Sequence, residues 1–366
     1  MTRRPARAPL RMTYLIRLAA IVFVPILLSA CYIPRAAYEE GRILWKRKPI
    51  DDALARGDLP ADIRAKLETV LAVRKFAAEN LGLNVGGAYK SFAPVDKNAI
   101  VHVVMAAPRD SLVPYTWWFP IVGRVPYRGY FEEGDATAEA ARLEAAGLDT
   151  MVRPSIAFSS LGFFDDPLLT NLLKLDRVEL AGVLIHELFH RTYYLASDAM
   201  FDESAANYVG SAGAVAFFAA TDGESAPSTI AARSILDSDL KFARFLLKEQ
   251  ARLLDIYMAD LPKDELDQRR EAAFAAIKAD YAALEPSLSG LERFDLDKQP
   301  LNNAVLVNYL IYFHQLDNFA ELDRMNHGDL RATIAQIISI AKEHPDDPFY
   351  AISQVVRSAP PTPAGS

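Results

Sequence analysis

A mostly helical α+β fold, with a small twisted sheet and a helical C-terminal half, is predicted by this 366-residue sequence. Three observations point to it. From residue 198 onward apolar residues recur at intervals of three and four almost to the end, the period of helices with one buried face. Short β-branched and aromatic runs bounded by glycine and proline are confined to residues 100–158, as a few strands would be. Apolar residues make up 51% of the chain, so a protein of this length can bury a large core.

The first thirty residues read as a targeting segment outside the fold. Arg3, Arg4, Arg7, Arg11 and Arg17 form a basic start, Leu18 to Leu28 an apolar stretch, and Leu28-Ser29-Ala30-Cys31 closes it. Small residues before a cysteine match a lipoprotein signal peptide, so lipidation of Cys31 is expected. The apolar stretch is short for a membrane span, and Met12 offers a second start that keeps the same features. Cys31 is the only cysteine, which excludes a disulfide within the chain. Anchoring to a membrane through lipidated Cys31 implies a cell-envelope lipoprotein. Tyr32, standing where an aspartate would favour the inner membrane, points to the outer membrane facing the periplasm.

Beyond the cysteine, Ala36 to Trp45 and Ala61 to Asn80 read as helices, the second started by Leu59-Pro60. Ile100 to Met105 reads as a strand ended by Pro108, and Tyr115 to Phe131 as a twisted hairpin or two short strands. Thr137 to Ala146 is a helix closed by Gly147, and Thr150 to Phe158 a strand before the helix Val178 to Leu195. Asp198 to Thr221 continues as helix. A polar linker at 223–228 leads to two long helical segments, 229–260 and 263–285, which Pro262 separates into an expected antiparallel pair. Asn302 to His314, Asp329 to Glu343 and Phe349 to Val356 complete the helical set. The organisation is therefore 1–30 signal peptide, 31–222 catalytic region, 223–358 helical region completing the cleft, and 359–366 a Pro-rich tail expected to be disordered.

The chemistry lies in His186-Glu187-Leu188-Phe189-His190. Residues four apart share a helix face, so His186 and His190 can present two imidazoles to one zinc ion. Glu187 beside them is placed to take a proton from an activated water. A third ligand is needed, and Glu203 in Phe201-Asp202-Glu203-Ser204 supplies it after a break at Ala196-Ser197-Asp198. No His-x-x-Gly-x-x-His continuation follows, so a third histidine is excluded. The pattern predicts a zincin-like catalytic core, in which an edge strand from Thr150 to Phe158 would hold an extended peptide. Asn207 and Asp198 are candidate acceptors for the imidazoles' other nitrogens. Tyr312, Tyr309 and His314, together on one predicted helix, are candidates to steady a tetrahedral oxyanion, open beside ordinary aromatic packing for each, with Tyr312 as the catalytic choice. Asp165, Asp166 and Asp202 are open between binding a substrate ammonium and capping turns, and Trp117-Trp118 between a pocket and core packing.

Charge narrows the partners. Removing the first thirty residues leaves 35 basic against 47 acidic side chains, about −12, which excludes a nucleic-acid-binding body. The long charged helical pair leaves room for a protein partner at the C-terminal half.

Several blocks in order also resemble the bacterial aminopeptidase lipoproteins, a family predicted to be zinc metallopeptidases. They are Cys31-Tyr32 with Gly41 and Pro49-Ile50, Trp118-Phe119-Pro120-Ile121-Val122-Gly123, Pro126-Tyr127-Arg128-Gly129-Tyr130-Phe131, and Phe158 to Pro167. The His186 to His190 motif, Phe201-Asp202-Glu203-Ser204, Asn302-Asn303-Ala304 and Tyr312 continue the match. The sequence departs from the family pattern at Asp202, where asparagine is usual, and at Phe158-Ser159-Ser160, where Tyr-Ser-Thr is. The resemblance implies a zinc peptidase acting on peptide substrates, with an exopeptidase action implied by the family's label. An endopeptidase or cell-wall peptide hydrolase with the same metal chemistry, and a catalytically silent envelope lipoprotein serving as an interaction module, stay open beside it.

Overall fold

A computed structural model of the chain describes Tyr38 and residues 41–95, 101–119, 122–155, 165–290, 294, 296 and 299–358. The signal peptide 1–30, the lipidation candidate Cys31 and the tail 359–366 lie outside the described residues, as do 156–158 of the predicted edge strand. Met1–Arg47 and Lys48–Ser366 are two separate units. In the first, residues 41–45 are helical; everything that follows concerns the second.

The second unit opens with strand β1 (Lys48–Pro49) and helices α1 (Ile50–Arg56) and α2 (Ala61–Glu79). Strand β2 (Ser91–Ala93) pairs antiparallel with β1 and parallel with a later short strand, Leu168–Leu169. The main sheet has β3 (Val101–Pro108) at its centre. Between β3 and its partners the chain makes a separate hairpin from β4 (Trp117–Phe119) and β5 (Gly123–Val125), then strand β6 (Tyr127–Tyr130). Helix α3 (Glu133–Ala145) and strand β7 (Leu148–Ser155) follow, giving the antiparallel order β6–β3–β7. The predicted Tyr115–Phe131 hairpin is thus split between two sheets. Gly123, with φ +79, makes the first turn, and Pro126 interrupts the ladder before β6 begins.

Side chains alternate across a strand, so the register sorts the two faces of the main sheet. Val104, Ala106, Val152 and Tyr130 lie on one face, packed with Trp117 against Ala136, Ala140 and Leu143 of α3. Val103 is paired with Arg153 and Met105 with Tyr127, which puts Arg153 and Tyr127 together on the opposite face. That face meets the helical half and carries the chemistry described below.

After β8 (Leu168–Leu169) the chain enters α4 (Arg177–Thr192) and α5 (Ala199–Thr221). Asp176 starts α4 with a capping box: its carboxylate accepts from Val178 and Glu179 N–H, and Glu179 reaches back to the Asp176 N–H. Helices α4 and α5 approach closely where Gly182 faces Gly210. A Cβ on Gly210 would stand 2.8 Å from the Gly182 carbonyl oxygen. Pro227 sets the first turn of α6 (Pro227–Tyr257), and α7 (Lys263–Leu284) returns beside it, with Lys248 and Arg252 both bound to Asp280. This is the antiparallel pair expected from sequence.

Then come α8 (Asn303–Phe313), α9 (Leu316–Met325), α10 (Leu330–Glu343) and α11 (Pro348–Ser358). Helix α9 has no counterpart in the sequence reading. Gln315, in a left-handed conformation at φ 51, breaks the helical run after α8 and restarts it. Asp149 on β7 joins the sheet to the helical half: buried, it accepts from the Arg270 guanidinium of α7, 1% exposed, and from the Asn303 N–H that opens α8. The fold is α+β and mostly α. Among the described residues no helix is long and apolar enough to cross a membrane.

Candidate metal centre

Nε2 of His186, Nε2 of His190 and Oε2 of Glu203 form a triangle with sides of 3.1, 3.2 and 3.3 Å. The two imidazoles sit one turn apart on α4, their rings nearly perpendicular at 80°. Glu203 comes from the second turn of α5, thirteen residues after His190. The chain doubles back in between through a turn that the β4–β5 hairpin holds in place. Ser197, with φ 72, donates its N–H to the Val122 carbonyl at 3.3 Å, and its hydroxyl accepts from the Arg124 N–H at 3.1 Å. Gly123 is required there, since a Cβ would meet the Ser197 hydroxyl.

This donor set fits a tetrahedral first-row metal ion. Bonds of about 2.0–2.1 Å to nitrogen and oxygen place neighbouring donors about 3.3 Å apart, which the triangle reproduces. The electrostatics agree. Burial alone would pull the His190 imidazole down, yet the Glu203 carboxylate, aided by Glu187 and Asp202, raises it to about 9. Burial would likewise raise Glu203, but the two imidazoles outweigh it and hold that carboxyl well below the usual range. Without a cation, the pocket draws a proton to the point where the three donors converge.

Surrounding groups hold these three side chains in place. The Tyr127 hydroxyl donates to the second oxygen of Glu203, Oε1, at 3.1 Å. Burial and the Glu203 charge both push that phenol well above its ordinary range, so it stays protonated. Tyr312 lays its ring against His186, with centroids 6.4 Å apart and planes 25° from parallel. Asn207 donates to the Tyr312 carbonyl at 3.0 Å, and Ser204 bridges the Ile311 carbonyl and the His314 N–H, so α5 fixes the end of α8. Asp198 caps α5 by accepting from the Phe201 N–H at 3.1 Å. Nδ1 of His190 is buried without a hydrogen-bond partner among the described residues, and so is Oδ2 of Asp202. Burial pushes the Asp202 carboxyl up to about 8.

The chain belongs to the family described as "Putative aminopeptidase", whose model matches residues 31–348.

No curated protein and no solved structure matches the chain. Membership supports a peptidase-like activity, and the match spans the triangle and every group around it. Glu187 sits on α4 beside His186, half-buried. Of the three candidates on α8, only Tyr312 faces the centre: Tyr309 packs on Phe242 at 5.4 Å and His314 on Phe349 at 4.8 Å. Asp165 is engaged by Arg191 at 3.1 Å and by the Gly87 N–H. Trp117 is buried in the sheet core, whereas Trp118 is exposed.

Sequence reasoning assigned no role to Tyr127, Arg153 or Tyr89. Tyr127 and Arg153 become visible only through strand register. Tyr89 holds a left-handed backbone at φ 58, and its buried phenol feels the Glu187 charge, which together with burial pushes it well up. A bulky residue in that conformation is a rare local feature, but nothing in the composition of Gly86-Gly87-Ala88-Tyr89 marks it.

Proposed function

We propose that this chain is a zinc-dependent peptidase, an aminopeptidase as its family label has it, with zinc held by His186, His190 and Glu203. The reading rests on the 3.1–3.3 Å triangle of two imidazole nitrogens and a carboxylate oxygen, with a second glutamate on the same helix. Bound by these three side chains, zinc would supply a Lewis acid able to activate water and polarise a peptide carbonyl near neutral pH. Glu187 takes the proton of the attacking water and returns it to the leaving amine. Tyr312 donates its hydroxyl to the oxyanion that develops on the peptide carbonyl. Tyr127 holds Glu203 in its ligating orientation through Oε1. Strand β7, on the outside of the β6–β3–β7 order, pairs with no further strand among the described residues, and that outer edge would receive an extended peptide. We place the protein in the cell envelope, anchored by lipidated Cys31 to the outer membrane and facing the periplasm.

The test is zinc content together with cleavage of aminoacyl-arylamides and of internally quenched peptides by the full-length protein. Wild type should hold one zinc per chain and cleave, and Glu187→Gln should keep the metal while losing about 10²–10⁴-fold in kcat. Activity that persists undiminished in Glu187→Gln, or a purified chain that takes up no zinc, sinks the reading. Cleavage restricted to internal bonds would leave the metal chemistry standing and replace the exopeptidase detail.

A further inference from the structure

Arg153 projects from β7 on the same sheet face as Tyr127, towards α8. Its Nε donates to Asn308 Oδ1 at 2.8 Å, and its Nη2 donates to the Tyr312 hydroxyl at 3.2 Å. Asn308 and Tyr312 are four residues apart and share one face of α8, so the planar fork of the guanidinium spans both. The guanidinium carbon also lies 5.7 Å from the centre of the Tyr312 ring. That ring is in turn stacked on the His186 imidazole.

We propose that Arg153 is a positioning residue for the peptidase reaction, fixing Tyr312 with its hydroxyl proton free to be donated to the substrate. The argument begins from donor and acceptor count. A guanidinium only donates. The Tyr312 oxygen therefore accepts from Arg153, and its single proton must point to some other acceptor. In a phenol free to rotate, that proton could serve the Asn308 carbonyl oxygen, which shares the same guanidinium and the same helix face. Arg153 Nε takes one of the two lone pairs of that oxygen at 2.8 Å and sets its cation against it, so the Tyr312 proton meets a weakened acceptor there.

A strap between sheet and helix does not account for this arrangement. The start of α8 is already tied to β7 by the Asn303 N–H to Asp149 at 3.0 Å and by Asn302 Nδ2 to the Thr150 carbonyl at 2.9 Å. Placing a cation one phenol away from a metal centre also opposes metal binding, a penalty that a neutral strap would avoid. Arg153 forms no ion pair among the described residues; its partners there are an amide and a phenol. Its charge therefore remains to polarise the Tyr312 O–H, which matters most as negative charge develops on the carbonyl oxygen.

The inference rests on the peptidase reading, and the experiment separates the two. Full-length zinc-loaded wild type, Arg153→Gln, Arg153→Lys, Tyr312→Phe and the Arg153→Gln/Tyr312→Phe double variant are compared in turnover. Binding of a phosphinic dipeptide, whose second oxygen can accept from Tyr312, is measured in parallel by calorimetry. Arg153→Gln should lower kcat by roughly 10- to 100-fold with KM changed by less than about threefold. The double variant should be no slower than Tyr312→Phe alone, and Arg153→Lys should recover part of the loss. Phosphinate affinity should follow the same non-additive pattern. Multiplying losses in the double variant, or a KM effect with kcat intact, overturns the inference while hydrolysis by wild type sustains the peptidase reading. Wild type that cleaves no peptide but binds the phosphinate with the expected coupling overturns the peptidase reading and leaves standing only that Arg153 orients the Tyr312 hydroxyl towards a bound oxyanion. If wild type neither cleaves nor binds the phosphinate, both fall together.

Discussion

Gly210 sets how near α5 can come to α4, and with that the position of Glu203 against the two imidazoles. A Cβ at residue 210 would lie 2.8 Å from the Gly182 carbonyl oxygen, 3.1 Å from His186 Cβ and 3.4 Å from His186 N. Two of these three atoms are backbone and the third is a Cβ, so no flexible side chain can swing aside. Restoring ordinary contact, which starts at 3.4 Å, requires the helices to part by about 0.6 Å. Glu203 lies seven residues earlier on α5, two turns away on the same face. A metal site tolerates about 0.2 Å in its bond lengths, so a 0.6 Å displacement exceeds what the triangle can absorb. Gly210→Ala should therefore weaken zinc binding by roughly 10- to 100-fold, the range seen when groups supporting ligands are disturbed. Fold stability should change little: overpacking costs about 1–3 kcal/mol, and the better helix propensity of alanine returns about 1 kcal/mol. Gly182→Ala is the control, because its Cβ would meet the Gly210 carbonyl oxygen at an unstrained 3.7 Å. Zinc affinity is read by competition with a chromophoric chelator, and thermal melting of the metal-free proteins checks the fold. Wild-type zinc affinity in Gly210→Ala, or equal damage from Gly182→Ala, would refute the idea that this contact spaces the ligands.

Three further outcomes follow from the geometry. Tyr127→Phe should leave the fold intact and weaken zinc binding by about tenfold, because Glu203 Oε1 loses its donor; chelator competition reads this too. Zinc must displace the proton that Glu203 stabilises on His190, whose pKa stands at about 9. Apparent affinity should therefore rise about tenfold per pH unit from 7 towards 9 and fall on acidification, with about one proton released per zinc at pH 7 by calorimetry in buffers of different ionisation enthalpy. His314, half-buried against Phe349, is pulled down to about 4 by desolvation, with Asp347 opposing. Its neutral form is the folded one, so its contribution is complete above the unfolded value near 6.5 and is lost as pH falls towards 4, a span of roughly 3 kcal/mol. His314→Phe should flatten that part of the urea-stability profile between pH 7 and 4.5.

Helix α4 is readable in the sequence because its signals are local. An apolar run, histidines four apart and an acidic residue between them need no tertiary information, and Glu203 follows after a single turn. Helices α6, α7, α8, α10 and α11 were legible for the same reason: each keeps a long apolar stripe between proline, glycine or aspartate boundaries. Short elements were not. Strands β1, β2 and β8 have two or three residues each, too few for a period to show. Helix α9 buries Leu316, Phe319 and Leu322 at intervals of three but spans only ten residues, and the left-handed Gln315 that separates it from α8 has no mark in the sequence. Sequence proximity puts Asp198 near the imidazoles, but an aspartate just before a helix serves the exposed N–H groups first, as Asp198 does for Phe201. Tyr127 and Arg153 depend on which strand pairs with which and in what register, and that is set by contacts far apart in the chain.

Asp149 receives its two principal partners from 121 and 154 residues further along the chain. Cutting the polypeptide in the short linker after Thr221 should not release the distal helices, since both pieces would still share an enclosed ion pair and the surface around it. The fragments should elute together in native chromatography and part only in denaturant. Grafting the distal helices from another protein would leave either an unanswered carboxylate or an unanswered guanidinium in the interior, so the two halves must be inherited as a matched set.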